Sequence, residues 1–382
     1  MERSSTGVAG HLSRRRFIVS GGRLVGAALA AGAGPGLLGA CADSSQSDQA
    51  QEGGLDRQQV AQARGSVKVL GWEYYEVPQS QPKGVKADWG YLGVNEDTIT
   101  KTQEPGAFDL ATIVSAYFDQ LMSVDRIAPI DTTLIDNWNN VDEQFRASEA
   151  IRKDGQVYGV PFMWGYGYVE YDADQVSEPR SLDDLMAPQL RQKVGIPDDP
   201  YAMIVTFAKF AGYDDDPTHL TQGQFDKTLR LLDSFKPQVR TIHQYGEEVQ
   251  LLARGDILVD LPAYGPSFIS ARDSGRNIQI TLLEAFSYVD CFVLYKGAEN
   301  LDQAYAYISQ SLTPEAEKAV VTESAAFPVV NAAVTAVPKE LRYESAGSIL
   351  SQAPLTGGLP VEGSDEVVPF PDWVEAWSRF KS

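Results

Sequence analysis

VYGVPFMWGYGYVEY, residues 157–171, is the stretch on which the fold turns. It is long, apolar and aromatic, yet Pro161, Gly165 and Gly167 interrupt it too often for a helix. That leaves an extended chain, long enough to cross from one body of the protein to another.

Strands and helices alternate on both sides of it. SVKVLGWEYY at 66–75 alternates apolar and polar positions and then turns aromatic, as a strand does on reaching a ligand face. AFDLATIVSAY at 107–117 reads as a second buried strand with its exit loop, and KVGIPDD at 193–199 as a strand ending in a polar loop. A helix follows over Tyr201–Ala211, and Thr221 with Gln224 fits a capping box that opens another helix running to Phe235. Residues 247–275 read as helix, strand, helix, and AFSYVDCFVLY at 285–295 as one more strand. This is an α/β pattern with no repeat of 20 to 50 residues, which predicts open sheets with helices on both faces. Ligands in such folds sit beyond the carboxyl ends of the strands. Polar and aromatic groups fall at those ends here: Trp72, Tyr75, Ser115, Tyr117, Asp198, Asp199, Tyr264, Tyr288 and Asp290.

Asp290 raises the sharpest question. An ionised carboxylate in an apolar, aromatic strand is costly to desolvate unless a cation or several donors meet it. Internal pairing with backbone amides or an arginine would explain it, and so would a cationic ligand. Other candidates carry a plainer alternative too. Asp199 precedes Pro200 and a helix, so it suits an N-cap. Trp72, Tyr75, Tyr264 and Tyr288 could be core, and Trp164 could pack a hinge as readily as touch a ligand.

The 382 residues, 43% hydrophobic and 22% charged, suffice for one large domain or two ordinary ones. Net charge is −20, and residues 1–41 hold five arginines and one glutamate, leaving 27 basic against 51 acidic residues in the remainder. Such a balance repels nucleic acid and attracts cations. Two cysteines, Cys41 and Cys291, and three scattered histidines predict no structural zinc, no disulfide framework and no metal cofactor. Asp214, Asp215 and Asp216 lack the offsets of a calcium loop and read as a turn. Cys291 reads as a small core residue. HExxH, GxSxG, GxxxxGK[ST] and GxGxxG after a strand are all absent, although a carboxylate-pair hydrolase would leave no short motif.

Residues 1–41 read as an export signal: a basic head, a short apolar stretch broken by Arg23 and Pro35, then small residues. Ser13-Arg14-Arg15-Arg16-Phe17-Ile18 resembles the twin-arginine motif, and Leu38-Gly39-Ala40-Cys41 resembles a lipobox. Cleavage before Cys41 would leave a lipid-anchored protein on the outer face of the cytoplasmic membrane. Residues 42–65, rich in Ser, Gln, Asp and Gly, read as a flexible tether.

From 66 to 382 the chain resembles the spermidine/putrescine-binding proteins of ABC transporters, within the type II periplasmic binding proteins. GWEYYEVP at 71–78, GAFDLATIVSAYFDQL at 106–121, YGVPFMWG at 158–165, VGIPDDPY at 194–201, SFISARDSG at 267–275, SYVDCFVL at 287–294 and FPDWVEAWSRFK at 370–381 carry the resemblance. It implies two α/β lobes joined by crossing strands around a ligand cleft. The first lobe would span 66–163, the second 164–286, and 287–382 would return to the first and end in C-terminal helices. The resemblance further implies an aromatic box of Trp72, Tyr75, Tyr264 and Tyr288, ammonium-binding carboxylates at Asp199 and Asp290, no turnover, and a monomer that works with an ABC permease. Departures stand beside it. Ala202 replaces a second acid after Asp199, Val114 and Ala116 replace a Ser and a Tyr, and VPQSQPKG at 77–84 stands where the family has its first helix. The solute expected is a putrescine- or spermidine-like amine, a shorter diamine or an amine with one cationic end. Ferric ion, or a hydrolase substrate, is the alternative.

Overall fold

The computed structural model describes residues 54–382 except 266, 325, 338, 340, 341, 344 and 365. The expected export signal, Arg14, Arg15 and Cys41 lie outside the described residues. The first sheet contains β1 (Gly65–Gly71), β2 (Val85–Tyr91), β3 (Leu110–Val114) and the short β4 (Ile127–Ala128). A hairpin of β5 (Arg152–Lys153) and β6 (Gln156–Val157) stands apart from it. Then come β7 (Val160–Tyr166), β8 (Tyr168–Asp172), β9 (Val194–Pro197), β10 (Val239–His243), β11 (Val259–Ala263), β12 (Ile278–Thr281), β13 (Ser287–Tyr295) and β14 (Phe327–Pro328).

Two sheets result, one in each lobe. The first runs β14-β7-β13-β3-β1-β2 with β4 on the end of β13, and the second runs β10-β9-β11-β8-β12. All seven residues of β7 are buried, because a strand covered on both faces has no polar side. The opening stretch therefore divides at a single residue: β7 belongs to the first sheet, β8 to the second, and Gly167 links them. The return crossing, 282–286, lies beside it, with Gly167 N donating to Phe286 O at 2.8 Å.

A third connection comes from the C-terminal segment. Ser287 N donates to Pro354 O and Leu359 N to Ala116 O, each at 2.8 Å, on the first-lobe side. Val368 N then donates to Leu220 O, also at 2.8 Å, on the second. The last helix, Phe370–Lys381, buries Trp373, Trp377 and Phe380, and the latter two join the second lobe's core with Phe207 and Phe235. It thus ends on the second lobe rather than the first.

Ordered chain also begins earlier than the tether reading implied. Asp56 and Gln59 form a capping box opening the helix Arg57–Ala61, which buries Val60 against the helix Leu301–Ser311. One apolar anchor in a polar segment is too little signal to read. Thr221 and Gln224 do form the expected capping box of Gln222–Phe235.

Candidate functional site

Five strand ends converge. β1, β3, β9, β10 and β11 are parallel within their own sheets, and their carboxyl ends lead into Trp72, Ser115, Asp199, Tyr245 and Tyr264. β13 is antiparallel to β3, so the start of β13 meets the same edge: Asp290 pairs with Val114, the last residue of β3. A cavity of about 330 Å³ opens there. All six residues expected to bind ligand, Trp72, Tyr75, Asp199, Tyr264, Tyr288 and Asp290, line it. So do Tyr74, Tyr201, Tyr245 and Glu248, which sequence reasoning did not single out. Among the described residues its lining side chains include three carboxylates and no lysine, arginine or histidine.

Asp290 is 3% exposed. Its Oδ2 accepts a hydrogen bond from the Tyr75 hydroxyl, while its Oδ1 is buried without a partner among the described residues. Among the described residues neither a backbone amide nor an arginine pairs with it, which is not the arrangement internal pairing would give. Burial pushes its pKa up to about 6, and the Tyr75 hydroxyl only partly opposes that. A neutral phenol satisfies one lone pair but supplies no countercharge.

Asp199 differs. Its Oδ1 accepts from Ala202 N at 3.0 Å, making it the N-cap of the helix Pro200–Phe210, and its Oδ2 accepts from the Tyr245 hydroxyl at 2.9 Å. Burial still raises its pKa. Asp199 therefore both caps a helix and lines the cavity. Seven of the remaining lining residues are aromatic. Tyr245, Tyr264 and Tyr288 form an edge-to-face chain with centroids 5.6 and 5.5 Å apart. The rings of Trp72 and Tyr74 lie parallel, 6.0 Å apart.

The glycines of the crossing strand make room for these rings. A Cβ on Gly165 would fall 2.5 Å from the Tyr288 hydroxyl oxygen, and one on Gly167 would fall 3.2 Å from Tyr264 Cε1. Gly165→Ala is expected to push Tyr288 out of place and weaken ligand binding by about tenfold, ~1–2 kcal/mol, with little change in melting temperature. Calorimetry on the folded variant checks this; an undiminished affinity would mean that Tyr288 has no role in the cavity.

Other candidates lie elsewhere. Asp198, grouped with the site from its sequence position, is occupied: it accepts from Trp377 Nε1 and Lys381 Nζ, each at 2.7 Å. Trp164 is fully buried between Phe145, Phe327 and Tyr343 and does not line the cavity. Cys291 is buried, and burial first, then Asp290, holds its thiol well above the usual range. Asp214 pairs with Lys209, and Asp216 with Thr218 and His219. Among the described residues no group of three or more His, Cys, Asp or Glu is placed to hold a metal ion. Nor is any helix among them long and apolar enough to cross a membrane.

Residues 94–344 match the family model for bacterial extracellular solute-binding proteins. The putrescine-binding periplasmic protein PotF of Escherichia coli is 22% identical over 281 residues, covering 67% of this chain and 75% of the relative. SpuD of Pseudomonas aeruginosa, also a putrescine-binding periplasmic protein, is 22% identical over 347 residues, 82% of this chain and 91% of its own. Among solved structures, the spermidine/putrescine ABC transporter substrate-binding protein PotD of Streptococcus pneumoniae superposes with a TM-score of 0.67 at 16% identity, covering 84% of this chain and 99% of that one.

Proposed function

Because the chain belongs to the bacterial extracellular solute-binding protein family, we propose that it captures a small cationic amine between its lobes and delivers it unaltered to an ABC permease. The amine is of the putrescine or spermidine kind. One observation carries the reading: among the described residues a buried carboxylate, Asp290, keeps an unpartnered oxygen in a cavity rich in aromatic rings and without basic side chains. An alkylammonium suits all of it. Methylenes lie against ring faces, the charge gains cation–π attraction of roughly 0.5–2 kcal/mol per ring, and Asp290 gains a charge-assisted hydrogen bond. Trp72, Tyr75, Tyr264 and Tyr288 are assigned to the aromatic box, with Asp290 and Asp199 as its carboxylates. The same reading has the chain exported through the signal bearing Arg14 and Arg15, lipidated at Cys41 and tethered as a monomer outside the cytoplasmic membrane.

Calorimetry against putrescine, spermidine and butylamine, with ferric ion as the control, tests the proposal. Tight binding of ferric ion and none of any amine would sink it.

Affinity should also depend on pH. The empty protein's Asp290 titrates near 6, and an ammonium grips only the ionised form. Binding is therefore expected to weaken as pH falls through about 6, by at most about tenfold per pH unit for this one group. Titrations at pH 5, 6, 7 and 8 measure it. An affinity that rises on acidification would contradict the assignment.

A further inference from the structure

We propose that Glu248 is a second carboxylate anchor of the cavity, and that the ligand is a linear diamine held by Asp290 at one ammonium and by Glu248 at the other. This rests on the amine reading above and narrows it. The two acids come from different lobes: Asp290 from β13 of the first sheet, Glu248 from the segment after β10 of the second.

Glu248 lines the cavity although it is only 6% exposed. Its Oε2 accepts from Gly246 N at 2.7 Å and lies 3.7 Å from His243 Nδ1. Its other backbone hydrogen bond is to its own amide, and among the described residues no side chain pairs with its Oε1. Asp199 is less free, since each of its oxygens already takes a donor, Ala202 N and the Tyr245 hydroxyl. Of the three carboxylates in the lining, Asp290 and Glu248 are the two with an oxygen to spare.

Charge behind Glu248 points the same way. His243 is committed to Asp260, with Nε2 to Oδ1 at 2.8 Å, and Glu170 lies beyond, accepting from Ser267 Oγ at 2.9 Å. Among the described residues Asp260 Oδ2 and Glu170 Oε1 are buried without partners. Tyr168, whose hydroxyl bonds Gly265 O and lies near Ser267, brings no charge. One imidazole thus faces three carboxylates, and no lysine or arginine pairs with any of them among the described residues. Burial pulls the His243 imidazole down, but Asp260 lifts it to about 9, so it is charged, while burial and then Asp260 push Glu170 well above the usual carboxylate range. Burial and then Asp260 push Glu248 up to about 7. A cation arriving from the cavity relieves this wall, and on arrival it displaces whatever proton Glu248 carries.

Glu248→Gln tests the assignment with 1,4-diaminobutane and butylamine, which share a carbon chain and differ by one ammonium. Calorimetry is expected to show the full-length wild type preferring the diamine, and the folded variant losing that preference by about tenfold or more. An unchanged ratio of the two affinities overturns the second anchor. A second measurement needs no variant. At pH 7, in buffers of differing ionisation enthalpy, the wild type should release more protons on binding the diamine than on binding butylamine. Equal release likewise overturns the proposal. Wild type that binds neither amine overturns the amine reading itself, whereas wild type that binds both equally removes only the second anchor.

Discussion

Asp290→Asn is expected to cost amine binding ~3–5 kcal/mol, two to three and a half orders of magnitude, while the empty protein stays folded and gains heat stability. The binding loss follows from pairing. In the complex the ammonium sits out of water, and without Asp290 it would be a buried charge whose nearest partner is a neutral amide. The gain in stability follows from the same burial read in the other direction. A carboxyl whose pKa is about 6 in the folded protein, against an ordinary 3.8, binds its proton more tightly folded than unfolded. Its ionised form therefore destabilises the empty protein at neutral pH, by about 3 kcal/mol at most, and that penalty disappears as pH falls from about 6 toward 4. Asparagine carries no charge to desolvate and can still accept from Tyr75. Melting curves of wild type and variant at pH 7, each with and without ligand, separate the two effects. A few-fold loss in affinity together with a lowered melting temperature would make Asp290 a structural residue.

That opposition between stability and binding explains why this site could be read in part from the sequence. An acid inside an apolar strand violates local patterning, and such violations collect where function demands them. The aromatic residues at strand ends were visible for a related reason: the end of a parallel strand is where the chain leaves the core, so a large ring there either packs or faces a ligand. Glu248 was invisible because nothing in QYGEEVQLL distinguishes a solvated glutamate from one turned into a cavity. Tyr245 was missed because β10, VRTIH, has mixed polarity, and its end could not be placed without the neighbouring β9.

The fold was legible where burial was complete and obscure where it was partial. β7 and β13, covered on both faces, appear as apolar runs. β2 is an edge strand with an alternating face, preceded by Pro82 and Gly84 and containing Gly90, so its pattern yields no clear strand. Asp198 shows the limit of position alone. It stands beside Asp199 at a strand end, yet its partners, Trp377 and Lys381, come from the far end of the chain.

Trp164→Ala is expected to destabilise the protein by ~3–5 kcal/mol, lowering the melting temperature by on the order of 5–10 °C, while affinity in the folded fraction changes by less than about threefold. Trp164 is fully buried in β7, one residue before Gly165. Its ring lies 5.1 Å from Phe327, 5.3 Å from Tyr343 and 5.5 Å from Phe145, and its Nε1 donates to Pro328 O at 3.1 Å. Side chains alternate along a strand, so the residue whose missing side chain admits Tyr288 and the residue that fills the opposite face are neighbours. Alanine at 164 would leave a void among three rings and free a carbonyl, with no ligand contact removed. Phenylalanine should recover most of the stability, because it restores volume but not the bond to Pro328. If alanine instead abolished amine binding at full stability, the tryptophan would face the ligand, and the division of labour along the crossing strand would be the reverse of the one argued.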